Sequence, residues 1–427
     1  NVACPSDAKP ILPRAAGSTV GQNRARLAGG RLFGLHHELD RRVKTETAAY
    51  NVINYGGMLA DEGRTSSYDR ALRANVRPGA VVLDLGAGHG TMAFLALRAG
   101  AAKVYAIEPG EVIELGRQLA ADNGFSNSIE FIQAMSTDVD LPEQVDGIVT
   151  DLRGRSPLYL KSIVSILDAR DRFLKPEGWI IPASDTIWAA PASSTTIHDK
   201  FIAIWDNEYQ LNFERARLQA ANTPGGVRLR PEDLLAAPQC FAVLDYKHLK
   251  DVSAALEMRW IINRAARAHG LCTWFDCEAA PGMGFSNSPL SGEQHVYKQL
   301  FFPWPEAVDL AAGDQVEVRL GADFVASDYL WSWRTRIVSG ERLKSEFRQS
   351  TFNGVPVSRD RLRKRGSRFV PDLNEDSRID RLVLDLVDQR LPLDEIAKAL
   401  LAKYPARFKN WNAAMARAAD LSERYSK

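Results

Sequence analysis

Between residues 76 and 190, short apolar runs alternate with amphipathic stretches. The runs "AVVLDLG", "AKVYAIE", "IEFIQA", "VDGIVTD" and "GWIIPA" have strand length, and helical periodicity fills the gaps between them. Alternation at this spacing predicts a parallel sheet with helices on both faces. Ahead of it, from His36 to about Leu72, the pattern is helical and is interrupted by "NYGGM"; residues 1–35 show no clear period and read as an irregular lead-in. From 188 to 340 the apolar runs become short and punctuated by Pro and Gly, with one helical stretch near 196–220. That portion predicts an antiparallel sheet or barrel. Residues 341–369 read as a basic linker, and 370–427 return to helical periodicity as a small module.

Composition changes this picture little. A chain of 427 residues exceeds one ordinary core, in keeping with several domains. A net charge of +1 removes any global pull towards nucleic acid or membrane. No apolar run approaches the roughly 18 residues of a membrane helix. The opening "NVACPSDAKPILPRAAG" lacks the apolar segment of a secretory signal, and a cytoplasmic location is expected. Cys4, Cys240, Cys272 and Cys277 are scattered and read as core thiols, and the seven His form no metal pattern.

The first chemistry lies in "VVLDLGAGHGTMAFLALRAGA", a strand, a glycine-rich turn and a helix. Gly86, Gly88 and Gly90 remove side chains where the backbone turns sharply and approaches a ligand. Asp84 ends the first strand, and Glu108 ends the second, 18 residues beyond Gly90. A carboxylate there accepts both hydroxyls of a ribose. The turn holds no Walker lysine and is tighter than the dinucleotide spacing, which shifts the expectation from ATP or NAD towards S-adenosylmethionine.

The blocks "MLADEGRTSSYDRAL", "VVLDLGAGHGTMAFLALRAGAAKVYAIE", "IQAMSTDVDLPEQVDGIVTD", "DARDRFLKPEGWIIP" and "GFSNSPLSGEQHVYKQ" resemble the protein arginine methyltransferases, in family order, over roughly residues 45–340. The resemblance implies a Rossmann-like S-adenosylmethionine domain over 36–187, a β-barrel-like substrate and dimerisation domain over 188–340, and a homodimer. It assigns Met58, Arg64, Asp84, Gly86, Gly88 and Glu108 to the cofactor, with Arg64 suited to its carboxylate. Where the family places a Glu near the adenine, this chain has Thr137; the backbone of Met135 remains for that contact. A family His before "ML" is replaced by Tyr55.

The same resemblance makes "TDLRGRSPLYL" the acceptor loop. The family holds its cationic guanidinium acceptor, of pKa above about 12, between two Glu. Here Asp151 stands at the first position, and Leu160, nine residues on, at the second. Gly154 and Tyr159 keep their places, while Arg153 and Arg155 add two cations. An arginine acceptor would meet like charge in a dry site. The expectation is an anionic or neutral acceptor, with Arg153 and Arg155 clamping a carboxylate and Asp151 orienting the substrate or acting as base. Outward-pointing arginines are the alternative. In "EQHVYKQ", His295 matches a family His that pairs with an acid, and Asp151 is a candidate partner.

Six of the eleven residues in 358–368 are Arg or Lys, without interleaved aromatics, which fits a solvated linker better than a nucleic-acid platform. The stretch "FVPDLNEDSRIDRLVLDLVDQRLPLDEIAKALLAKY" resembles, more faintly, PqqD-like peptide-recognition domains, which implies a module that presents a peptide. A methyltransferase acting on a peptide or protein is the leading expectation. A divergent arginine methyltransferase, a small-molecule methyltransferase and a non-catalytic binding module stand beside it.

Overall fold

The computed structural model describes residues 51–206 and 209–426, so the expectations for residues 1–35 and for the helical pattern from His36 to residue 50 lie outside it. The chain falls into two compact units, divided after Pro356.

The first unit opens with α1 (Val52–Ala60) and α2 (Glu62–Asn75). Asn51 and Asp61 start them by accepting the backbone N–H of Asn54 and Arg64, the bond that an exposed first turn otherwise lacks. There follow β1 (Val81–Leu85), α3 (Thr91–Ala99), β2 (Lys103–Ile107), α4 (Val112–Asp122), β3 (Ile129–Ile132), β4 (Val145–Thr150), α5 (Ser162–Phe173) and β5 (Leu174–Ile181). The strands form a parallel sheet of order β3-β2-β1-β4-β5, against which α2 to α5 pack. The strand order turns at β1, so the crevice for a ligand opens at the carboxyl ends of β1 and β4. Thr150 ties those two ends together, donating its hydroxyl to the carbonyl of Leu85 at 2.9 Å.

The rest of the unit comprises β6 (Ser184–Ala192), α6 (Thr195–Phe201), α7 (Glu214–Ala221), β7 (Gly225–Val227), β8 (Gln239–Asp245), β9 (Ala254–Ile261), β10 (Ala266–Ala280), β11 (Met283–Ser286), β12 (Gln299–Leu310), β13 (Gln315–Val325), β14 (Asp328–Ser339) and β15 (Arg342–Ser350). One antiparallel sheet runs β7-β12-β10-β6-β8 with β11 on β10, and a second runs β15-β14-β13-β9. Phe302 of β12 meets Trp331 and Trp333 of β14 at ring separations of 5.2 and 5.0 Å, so the two sheets share one aromatic core. Each such buried ring contributes roughly 1.5–3 kcal/mol.

Three expectations need correction. The strands here are long, reaching 15 residues in β10. Gly270 and Pro303 do not end strands; they pair with each other beside a register shift, where an irregularity tolerates a missing side chain and a missing N–H. The stretch read as the start of the linker contains β15, whose polar and basic residues pair with β14 as an exposed edge strand. Of the cysteines, Cys272 and Cys277 are buried free thiols, whereas Cys240 is disulfide-bonded.

The second unit contains α8 (Arg359–Lys364), α9 (Glu375–Asp388), α10 (Leu393–Lys403) and α11 (Trp411–Tyr425). The last three bury Ile379, Val383, Ile396, Leu400, Ala414, Ala418 and Leu421 in a small core of their own. Among the described residues no helix is long and apolar enough to cross a membrane, and no cluster of ligands suits a metal.

Candidate active site

At the end of β1 the chain turns through Gly86 and Gly88, both with positive φ (+75° and +54°), a conformation that side chains strain. A Cβ on Gly88 would sit 2.8 Å from the ring of Tyr55, which lies over the turn and against His89. Asp84, two residues before Gly86, turns its carboxylate to the first turn of α3 and accepts the N–H of Ala93 at 2.9 Å. Burial pushes its pKa up to about 7, with Glu108 adding repulsion. It therefore braces the turn from beneath.

Glu108 is buried and accepts N–H groups from Gly88 at 3.0 Å and from Gly110 at 2.8 Å, one on each oxygen. Burial raises its pKa, and those two bonds oppose the rise. Each oxygen retains acceptor capacity, the provision two vicinal hydroxyls require. Met135 and Thr137 lie past β3, around a short 3₁₀ turn; the Met135 carbonyl accepts from Asp138, and Thr137 is exposed with its hydroxyl on the Asp138 carboxylate.

The centre of the site is Asp151, at the mouth of β4. One oxygen receives Arg64 Nε at 2.6 Å and the Tyr297 hydroxyl at 2.5 Å. The other receives the Tyr68 hydroxyl at 3.1 Å and stands 3.2 Å from Arg153 Nε. Arg64 also donates to the carbonyl of Met58 at 3.1 Å, which fixes the end of α1 over the same spot. Burial works most strongly against the charge on Arg64, but Asp151 together with Tyr297 and Tyr68 more than offsets it and holds the guanidinium above its ordinary pKa. For the phenols of Tyr68 and Tyr297 burial dominates and keeps them protonated donors.

Arg153 does not face an open cleft. Its side chain is 2% exposed, donates to Asp185 at 3.1 Å and to Tyr68 at 3.4 Å, and lies over the rings of Phe275 (5.1 Å) and Phe285 (5.7 Å). Asp185 in turn accepts the Tyr246 hydroxyl at 2.5 Å; burial raises its pKa to about 6, against the pull of Arg153. The expectation that Arg153 clamps a substrate carboxylate is thus corrected: a buried cation between two carboxylates has no unused charge to offer. Arg155 is exposed, with its stem lying over Gly226 of β7. Tyr159 is partly exposed and packs over Gly154, where no Cβ fits.

His295 is buried, and its partner is Asp61 rather than Asp151, at 2.8 Å from Nδ1. Asp61 also accepts the N–H groups of Arg64 and Val296, so one carboxylate starts α2 and pins the loop before β12 to it. Sequence reasoning missed Asp61, Tyr68, Asp185, Tyr246 and Tyr297. Asp61 carried a legible signal, a capping acid at the start of a helical pattern three residues before Arg64; the others come from distant segments with no shared motif.

A family model of the arginine methyltransferase oligomerization subdomain matches residues 183–329, and a methyltransferase domain model matches residues 82–178. In sequence order, the chain is similar first to a methyltransferase domain and then to an arginine methyltransferase oligomerization subdomain. It is 32% identical over 276 residues to protein arginine N-methyltransferase 2 of Mus musculus, covering 61% of each chain. It is 29% identical over 285 residues to protein arginine N-methyltransferase 6 of Xenopus laevis, covering 62% of this chain and 83% of that protein. The chain thus spans about three fifths of the length of the mouse relative it matches. Among solved structures, the Trypanosoma brucei PRMT1 enzyme-prozyme heterotetrameric complex with AdoHcy aligns with a TM-score of 0.65 at 23% identity, over 71% of this chain and 98% of that one. Arabidopsis thaliana protein arginine methyltransferase 10 aligns with a TM-score of 0.63 at 22% identity, over 71% and 99%. These two likenesses establish the fold: a Rossmann-like sheet followed by antiparallel sheets. The donor set fits S-adenosylmethionine, with acceptor capacity left on Glu108 for ribose hydroxyls, a turn whose glycines carry no side chains of their own, and Arg64 as a nearby cation.

Proposed function

We propose that this protein is an S-adenosylmethionine-dependent methyltransferase acting on a peptide or protein, and that its acceptor is an oxygen, a carboxylate or a hydroxyl, in place of an arginine nitrogen. The observation that carries the reading is the saturation of Asp151. Arg64, Tyr68, Tyr297 and Arg153 already surround its two oxygens, and the second acceptor-loop carboxylate is Leu160. A guanidinium substrate needs carboxylate acceptors, and the loop has none uncommitted.

When bound, the cofactor supplies a methyl group on a cationic sulfur. The chain's own residues do the rest. Glu108 accepts ribose hydroxyls, and Arg64 holds a carboxylate while anchored to Asp151. A carboxylate acceptor is already ionised at neutral pH and needs no base, so transfer depends on alignment and exclusion of water. Arg155, exposed on the same loop, supplies a cation that attracts such an acceptor.

The reading includes a homodimer, supported by the oligomerization subdomain and by exposed Ile204, Phe213 and Leu218 in the stretch around α6 and α7. It gives the helical module a role in peptide capture, tested by deleting residues 370–427 and measuring substrate affinity; an unchanged affinity removes that role. A cytoplasmic location belongs to the same reading and is tested by cell fractionation.

The deciding experiment incubates the full chain with methyl-labelled cofactor and a peptide or protein pool. Label released by mild base, as from a methyl ester, or recovered on a hydroxyl supports the oxygen acceptor. Methylarginine in an acid hydrolysate would establish the alternative, an arginine methyltransferase with a divergent loop.

A further inference from the structure

Arg153 is surrounded by the groups that recognise a guanidinium. Asp151 takes Nε at 3.2 Å and Asp185 takes Nη1 at 3.1 Å, so two carboxylates approach different edges of one planar fork. Tyr68 stands 3.4 Å from Nη2, and Phe275 and Phe285 lie within cation–π range at 5.1 and 5.7 Å. The carboxylates are themselves held: Tyr246 bonds Asp185, and Arg64 and Tyr297 bond Asp151. The surroundings are therefore braced independently of Arg153. Five donors in a fixed plane match this arrangement far better than a point-like ammonium would.

We propose that Asp151, Asp185, Tyr68, Phe275 and Phe285 form a guanidinium-binding cage, which Arg153 fills from within and which accepts a small guanidinium ion once that side chain is removed. The cage shares Asp151 with the acceptor loop. Filled from within, it denies that carboxylate to an arginine substrate, so Arg153 determines specificity against guanidinium acceptors. This consequence rests on the oxygen-acceptor reading; the cage itself does not.

The test is chemical rescue. Arg153→Ala is made in the full chain, and its melting temperature is followed as millimolar methylguanidinium is added, with methylammonium as the matched control. The expected result is saturable stabilisation of the variant by methylguanidinium, at least tenfold tighter than by methylammonium, and none in the parent. Where Arg153→Ala does not melt cooperatively, Arg153→Met fills the stem and leaves the charged end vacant for the same titration. No saturable stabilisation, or equal stabilisation by both cations, overturns the proposal. The readout involves no methyl transfer, so it fails or succeeds independently of the acceptor assignment. A rescued variant alongside a parent that makes methylarginine would keep the cage and remove only its role in specificity.

Discussion

Arg64 and Asp151, 87 residues apart in the chain, meet at 2.6 Å and join the start of α2 to the end of β4. In the function proposed above, one side of this pair faces the cofactor's carboxylate and the other opens the acceptor loop. Any change in one is felt by the other.

Arg64→Lys keeps the charge and loses the fork. Charge-assisted bonds contribute about 1.5–3 kcal/mol each, so the affinity for S-adenosylhomocysteine should fall roughly 10- to 100-fold by calorimetry. An unchanged affinity would remove Arg64 from the cofactor site.

Asp151→Ala leaves the guanidinium groups of Arg64 and Arg153 with one carboxylate fewer in a buried setting. Breaking a buried pair from one side costs about 3–5 kcal/mol, and denaturant unfolding should show a loss of that order. A loss below about 1 kcal/mol would mean that water reaches the pair.

Asp61→Ala removes the α2 cap and the partners of His295 and Val296 together, with an expected loss of about 2–4 kcal/mol. Burial alone raises the Asp61 pKa, but the bonds from His295, Val296 and Arg64 lower it overall below 3.8. A depressed folded-state pKa gives stability that is present above the unfolded value and lost as pH falls through the folded one. The stability gap between parent and variant should hold down to about pH 4 and narrow below it.

Asp84 has the opposite sign. Its folded pKa of about 7 lies above the ordinary 3.8, so its contribution falls as pH rises from about 4 through 7. Asp84→Asn keeps an acceptor for Ala93 and cannot ionise. Without cofactor, its melting temperature relative to the parent should therefore climb across that window, and a flat difference would mean that Asp84 titrates normally.

Arg155→Glu changes an exposed side chain and should alter stability by no more than about 0.5 kcal/mol. With an anionic acceptor, KM should rise several-fold while the melting curve stays in place. Equal kinetics for parent and variant would separate Arg155 from the substrate.

The regular elements were legible because their signals are local. The strands from Val81 to Ile181 alternate with helical stretches, and Gly86, Gly88 and Gly90 hold positive φ values that bulkier residues adopt only with strain. The edge strand β15 was not, since an exposed edge needs no apolar alternation and "RLKSEFRQS" reads as a polar linker. His295 was singled out, but Asp61 as its partner came only with the packing of α2 against β10 and β11.

The sequence alone already carried the strand–helix alternation, the glycine turn after β1 with Glu108 beyond β2, and Leu160 nine residues after Asp151. Those are properties of residue type and spacing. Tertiary structure alone decided what the two added arginines do. Arg153 turns inward because Asp185, Phe275 and Phe285, supplied by strands more than 30 residues away, offset the cost of burying its charge. Arg155, two residues on, meets no such partners among the described residues and stays at the surface. Charge counted along a loop says nothing of which neighbours will neutralise it, since those neighbours arrive only when the sheets fold against each other.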